Sequence, residues 1–235
     1  MTRITNARLA GILFLLYIAT GIGSMILIGH IANGARDNAA TLAAYAQHAT
    51  AVRVDALLTF LQFLYAVGLA VTIYALTREI DRELALLAFC CRFTEGVIAA
   101  FAAIRTLGLL SIATTTTVTE VPDVAQTVRG MLLQADSATA MIAATCFAVG
   151  STIYCWLFLR ARSTPLWMAC LGVAASVLLV VGLPLRILAF IPGPITVYLW
   201  MPMLVFELVF AFWLIFKGVT TPALRIRASA KAGTP

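Results

Sequence analysis

The chain of 235 residues is 62% apolar and only 11% charged, with a formal net charge of +6. Soluble domains carry about 25% charged residues, so the charge needed to cover a water-facing surface is missing, which excludes an ordinary soluble globule and a disordered chain. The five cysteines, an odd number and all within apolar runs, argue against a secreted disulfide framework. The composition is that of an integral membrane protein, and the lipid bilayer is its obligatory partner. Excess basic charge in such a chain gathers in short cytoplasmic loops. No soluble domain offers a basic face, so no nucleic-acid partner is expected.

A helix crossing about 30 Å of hydrocarbon takes about 20 apolar residues. Six segments qualify in chain order: Leu9 to Ile28, Ala56 to Leu76, Leu84 to Ile112, Met131 to Leu159, Leu166 to Phe190 and Ile195 to Phe216. The first follows Arg3 and Arg8 like a signal peptide. Its apolar stretch exceeds the roughly 7–15 residues of a signal core and no small-x-small cleavage site follows, so it reads as a retained anchor. The connection Asn33–Thr50 starts with the capping pair Asp37-Asn38 and continues with Leu42, Tyr45, Ala46 and Ala49 at helical spacing. It is expected to lie along the outer interface or to extend span two. Ala113–Thr127 reads as a loop with a helix start at Pro122, and Ile191-Pro192-Gly193-Pro194 as a tight outer turn. The turns Thr77–Glu83 and Arg160–Pro165 are short, which makes the spans they join antiparallel neighbours.

Ten of the 16 basic residues lie on one side: Arg3, Arg8, Arg78, Arg82, Arg160, Arg162, Lys217, Arg225, Arg227 and Lys231. Both termini are therefore expected to be cytoplasmic. The predicted fold is an all-α bundle of six transmembrane helices. Residues 1–219 form one membrane domain, followed by a basic, disordered cytoplasmic tail over 220–235.

Ionisable groups in lipid cost at least about 2.5–3.5 kcal/mol each, so they turn inward and pair. At about 1.5 Å rise per residue, Arg92, Glu95 and Glu207 fall about 12–16 Å from the cytoplasmic ends of their spans. They form a candidate midplane cluster. Arg92 and Glu95, three apart, share a helix face. Two carboxylates and one guanidinium leave one negative charge over, to be neutralised by a proton or shared with water. Pro202 removes a backbone donor upstream of Glu207 and leaves polar backbone for a ligand or water.

A second layer, about 30–35 Å from the cytoplasmic ends, comprises Asp55, Arg105, Asp136 and Arg186, with Arg53 a step further out. Gln62, Gln134 and His48 could join it. Three arginines against two aspartates suit a carboxylate or phosphate, so a lipid or a small anionic ligand is a candidate partner here. Structural pairing at the interface is the simpler reading for both layers.

Other signals are weak. His30 and His48 are weak metal candidates beside Asp55 and Asp136, without H-x-x-H or H-E-x-x-H spacing, and no metal or other cofactor is expected. Cys90, Cys91, Cys146, Cys155 and Cys170 lack C-x-x-C spacing and read as packing residues. Ser24, Ser111, Ser151 and Ser176 lack a G-x-S-x-G context, and no nucleotide-binding loop is present. Gly11, Gly21, Gly23 and Gly29 suggest close helix contact on span one. Trp156, Trp167, Trp200 and Trp213 read as interfacial anchors.

Three stretches carry a resemblance: the opening Ala7-Arg8-Leu9-Ala10-Gly11-Ile12-Leu13-Phe14, the third-span Cys90-Cys91-Arg92-Phe93-Thr94-Glu95, and the last span from Met201-Pro202 through Phe206-Glu207 to Trp213-Leu214 and Lys217-Gly218. Together they resemble a bacterial multi-pass membrane family catalogued as domain of unknown function 4386, over Arg8 to Gly218. The resemblance implies a bacterial inner-membrane protein, supplies no reaction, and points at Arg92, Glu95 and Glu207. Cys90-Cys91 depart from the apolar pair expected there.

The leading functional expectation is a protein that binds or carries a small ligand or lipid in a polar intramembrane cavity. One alternative is a membrane enzyme working on a lipid or head group at the outer face, with Asp55 or Asp136 as acid or base. Another is a scaffold for a partner membrane protein, with a dry, filled interior. No inverted repeat is visible, so transport would call for a homo-oligomer.

Overall fold

The computed structural model describes residues 2–32, 38–115, 122–188, 190 and 193–219. These form α1 (Arg3–Ala32), α2 (Asn38–Gln47), α3 (Ala49–Thr77), α4 (Arg82–Thr115), α5 (Pro122–Arg160), α6 (Leu166–Ile187) and α7 (Gly193–Phe216), with no strand among the described residues. Six helices are long and apolar enough to cross a membrane. Only α2, ten residues long, is too short. The all-α six-span architecture expected from hydropathy is the observed one. The tail over 220–235 lies outside the described residues.

The six long helices stand in a ring. α1 packs on α3, α3 on α4, α4 on α5, α5 on α6, α6 on α7, and α7 closes back onto α1. Lipid is as apolar as leucine, so packing shape, not water exclusion, decides how such helices meet. The closing seam shows this: a Cβ on Gly11 would stand 2.5 Å from the Ala211 carbonyl oxygen and 2.7 Å from Ile215 Cγ1. The other glycines singled out on span one differ. Gly21 makes room for the Gln62 amide, Gly23 touches only Leu58, and Gly29 faces open space. The outside of the ring is an apolar belt that includes Phe101, Ile104 and Phe212, all exposed.

The Arg3 end of α1 and the Phe216 end of α7 share one face, here the proximal face, where Gly218 lies beside Ala7. The turn between α3 and α4 is clamped there from both sides. Arg3 Nη1 donates to Glu79 Oε2 at 2.9 Å and its Nη2 to the Leu76 carbonyl at 3.0 Å. Arg160 Nη1 reaches Asp81 Oδ2 at 3.3 Å. Gly218, at φ +71°, ends α7 in the left-handed region, where glycine carries no Cβ penalty. Between the proximal ends the ring is filled by aromatic packing. Phe210 lies 5.8 Å from Phe14, 5.3 Å from Phe158 and 5.2 Å from Phe206, ring centre to ring centre.

The opposite, distal end is built differently. A turn at His48 sets α2 off from α3, so α2 does not simply extend span two. Instead α2 crosses the ends of α1, α3, α4 and α5. Ala44 and Tyr45 pack there with Ile31, Val52 and Leu110. Pro122 opens α5 as expected.

Candidate functional site

At the middle of the ring, α4 supplies Arg92 and Glu95 from one face. Arg92 Nη1 lies 2.9 Å from Glu95 Oε2, with both side chains buried. The contact is close but not aligned for hydrogen bonding, so charge holds the pair. The guanidinium is also sandwiched, 4.6 Å from the Phe147 ring centre on α5 and 5.4 Å from that of Tyr17 on α1. A desolvated cation over an aromatic face gains about 2 kcal/mol. The Tyr17 hydroxyl donates to Glu95 Oε1. Arg92 is thus enclosed by three elements, with 1% of its surface exposed.

Glu207 comes from α7, whose backbone stands away from those of α4 and α5, while its side chains Trp200 and Phe210 reach Phe147 and Phe158 on α5. It is 5% exposed, so it faces the interior and not acyl chains. Its Oε1 is buried with no hydrogen-bond partner among the described residues. Glu95 and Glu207 line the same cavity. Two carboxylates and one guanidinium therefore share one low-dielectric region.

The space between α7 and the α3–α4–α5 wall is a cavity of about 580 Å³, within the roughly 300–1,000 Å³ typical of small-molecule sites. Tyr17, Glu95 and Glu207 line its deep end. Gln62, Arg105 and Thr139 line it further toward the distal face, and the rest of the wall is apolar. Small residues make the room: Ala99 and Ala102 on α4, and Ala140, Ala143 and Ala144 on α5. The aromatic packing closes it on the proximal side and α2 crosses the distal side. At the α7 edge its lining residues Ile22, Met25 and Met201 are exposed, and all three are apolar.

The second-layer candidates sit on four helices, α3 to α6. Asp55 is buried and accepts a hydrogen bond from Ser24 on α1, a serine that its sequence context had given no role. Arg105 lines the cavity, where its Nη1 donates to Thr139 Oγ1 at 3.1 Å. Arg53 is exposed. Arg186 sits in the last turn of α6, whose backbone neighbours among the described residues are α5 and α7, while Asp55 is on α3. The side chains of Asp136 and Gln134 lie outside the described residues. His30 ends α1 and is exposed, and exposed His48 keeps its Nδ1 3.0 Å from the Ala44 carbonyl. No group of three or more His, Cys, Asp or Glu side chains stands together among the described residues.

Tyr17 and Phe147 were missed in the sequence. A tyrosine midway along an apolar span was the available signal, because a buried phenol seeks a hydrogen-bond partner. Two tryptophans are not interfacial anchors: Trp200 lines the cavity 5.5 Å from Phe147, and Trp213 packs against the core. Trp156 and Trp167 are exposed on the belt.

Fold and site together define a multi-pass helical membrane protein with a charged pair buried in its interior. Residues 9–218 match a family described as a domain of unknown function (DUF4386). The chain belongs to that family, in agreement with the resemblance carried by its first, third and last spans. No curated protein and no solved structure matches the chain.

Proposed function

We propose that the protein binds, and in its membrane exchanges, a small ligand or lipid held in the cavity between α7 and the α3–α4–α5 wall. The observation that carries this reading is the cavity of about 580 Å³ ending at a buried, unpartnered Glu207 oxygen. A scaffold reading expects a filled interior, which the cavity weighs against. An outer-face enzyme using Asp55 or Asp136 is the second reading; Asp55 accepts a hydrogen bond from Ser24 and is not among the residues lining the cavity. Arg3, Arg8, Arg78, Arg82, Arg160, Arg162 and Lys217 at the proximal helix ends favour a cytoplasmic location for that face, and the family resemblance favours a bacterial inner membrane.

The test is native mass spectrometry of the full chain released from its own membranes. The wild-type protein is expected to carry a bound small molecule or lipid, which Ala143→Phe, by filling the cavity wall, removes while the fold is retained. Identical spectra for the two proteins, or no bound mass on the wild type, would defeat this reading.

A further inference from the structure

Resting on that ligand-binding reading, we infer that the deep end of the cavity receives a protonated amine carried on an apolar body, with Glu207 as its counter-ion. The first support is a charge count over the groups that reach Glu207. From α4 come Arg92 and Glu95, whose charges are paired at 2.9 Å. From α1 comes Tyr17, whose proton is committed to Glu95. From α5 come Tyr154 and Cys155, both uncharged in their ordinary states and buried. The sole charged side chain of α6 is Arg186, in its last turn. The region thus holds one negative charge more than positive, on a carboxylate with an unpartnered oxygen. A buried lone charge in low dielectric is stabilised by a cation or a proton and by little else.

The second support is the wall. Above Glu207 it is mainly Ile, Met, Ala, Phe and Trp side chains, with Gln62 and the Thr139-bound Arg105 toward the distal face, which suits a hydrocarbon or aromatic body and not a hydrated ion. Phe147 and Trp200 stand within the same wall, 5.5 Å apart, and aromatic faces add attraction for an ammonium group. The third support is the way in. The exposed edge is Ile22 and Met25 on α1 with Met201 on α7. Counted from the proximal helix ends, these lie about 22–33 Å up at 1.5 Å per residue, in the distal leaflet. An amphiphile already dissolved in that leaflet can enter head first past an apolar rim, without crossing water.

The experiment uses the full chain in nanodiscs and three probes that differ only in the head: bromodecylamine, bromodecanol and bromodecanoate. Bromine on the chain quenches Trp200, and the saturable part of the quenching disappears in Trp200→Phe. The amine is expected to bind at least about tenfold more tightly than the alcohol, with the acid weakest. Glu207→Gln brings amine and alcohol to equal affinity and leaves the alcohol's affinity unchanged. Proton and amine compete for the Glu207 carboxylate, so acidifying the wild type from about pH 8 to about pH 5 weakens the amine and not the alcohol. That measurement decides the matter should Glu207→Gln fail to fold. Equal affinity of amine and alcohol in the wild type, or an amine preference that survives both Glu207→Gln and acidification, overturns the assignment of Glu207 but leaves the ligand-binding reading intact. Absence of saturable quenching by any of the three overturns both.

Discussion

The hydroxyl of Tyr17 on α1 donates to Glu95 Oε1 on α4, although the backbones of these two helices do not pack against each other. The bond spans the interior of the ring and fixes which carboxylate is committed and which is left over. Tyr17→Phe keeps the ring beside Arg92 and removes only the donor. An acceptor left unsatisfied in a buried site costs about 1–3 kcal/mol. Equilibrium unfolding of the purified variant is expected to show a loss of that size. A variant as stable as the wild type would mean that the bond contributes nothing net.

Arg92 and Glu95 should respond unequally to removal. Arg92→Leu leaves both carboxylates without a counter-charge, and breaking a buried pair this way costs about 3–5 kcal/mol. Glu95→Gln keeps an acceptor for Tyr17 and leaves Arg92 balanced against Glu207, so its cost is smaller, about 1–2 kcal/mol. The same unfolding measurement orders the two. The reverse order would contradict the charge count on which the amine site rests.

Two glycine substitutions separate packing from propensity. Gly11→Ala drives a methyl group into the Ala211 carbonyl at the seam that closes the ring, and overpacking of this kind costs about 1–3 kcal/mol. Gly108→Ala meets nothing within 4 Å. It should be neutral or gain up to about 1 kcal/mol from helix propensity. Thermal unfolding of both variants checks the contrast, and equal effects would mean that the α1–α7 seam is not tight.

The proposed orientation has a direct check in a chain whose five cysteines are replaced by alanine. A membrane-impermeant thiol reagent is expected to label Gln47→Cys, at the end of α2, in intact cells. Arg78→Cys, in the turn between α3 and α4, should label only after lysis. The opposite pattern would invert the protein in its membrane.

Hydropathy and charge alone determined the six spans, their order, and the burial of Arg92, Glu95 and Glu207. The physical reason is that lipid imposes local rules: about 20 apolar residues cross it, and an ionisable group within it must turn inward. The distance between Arg92 and Glu95 was legible too, because three residues on one helix stay neighbours whatever the rest of the chain does. Which helices become neighbours is set by packing between surfaces far apart in the chain. Only the tertiary structure therefore decided that the ring closes at Gly11 and Ala211, that Arg105 joins the cavity while Asp55 turns to Ser24, and that α2 crosses the helix ends. The cavity itself follows from the α7 backbone standing off from those of α4 and α5, a gap that no single span encodes.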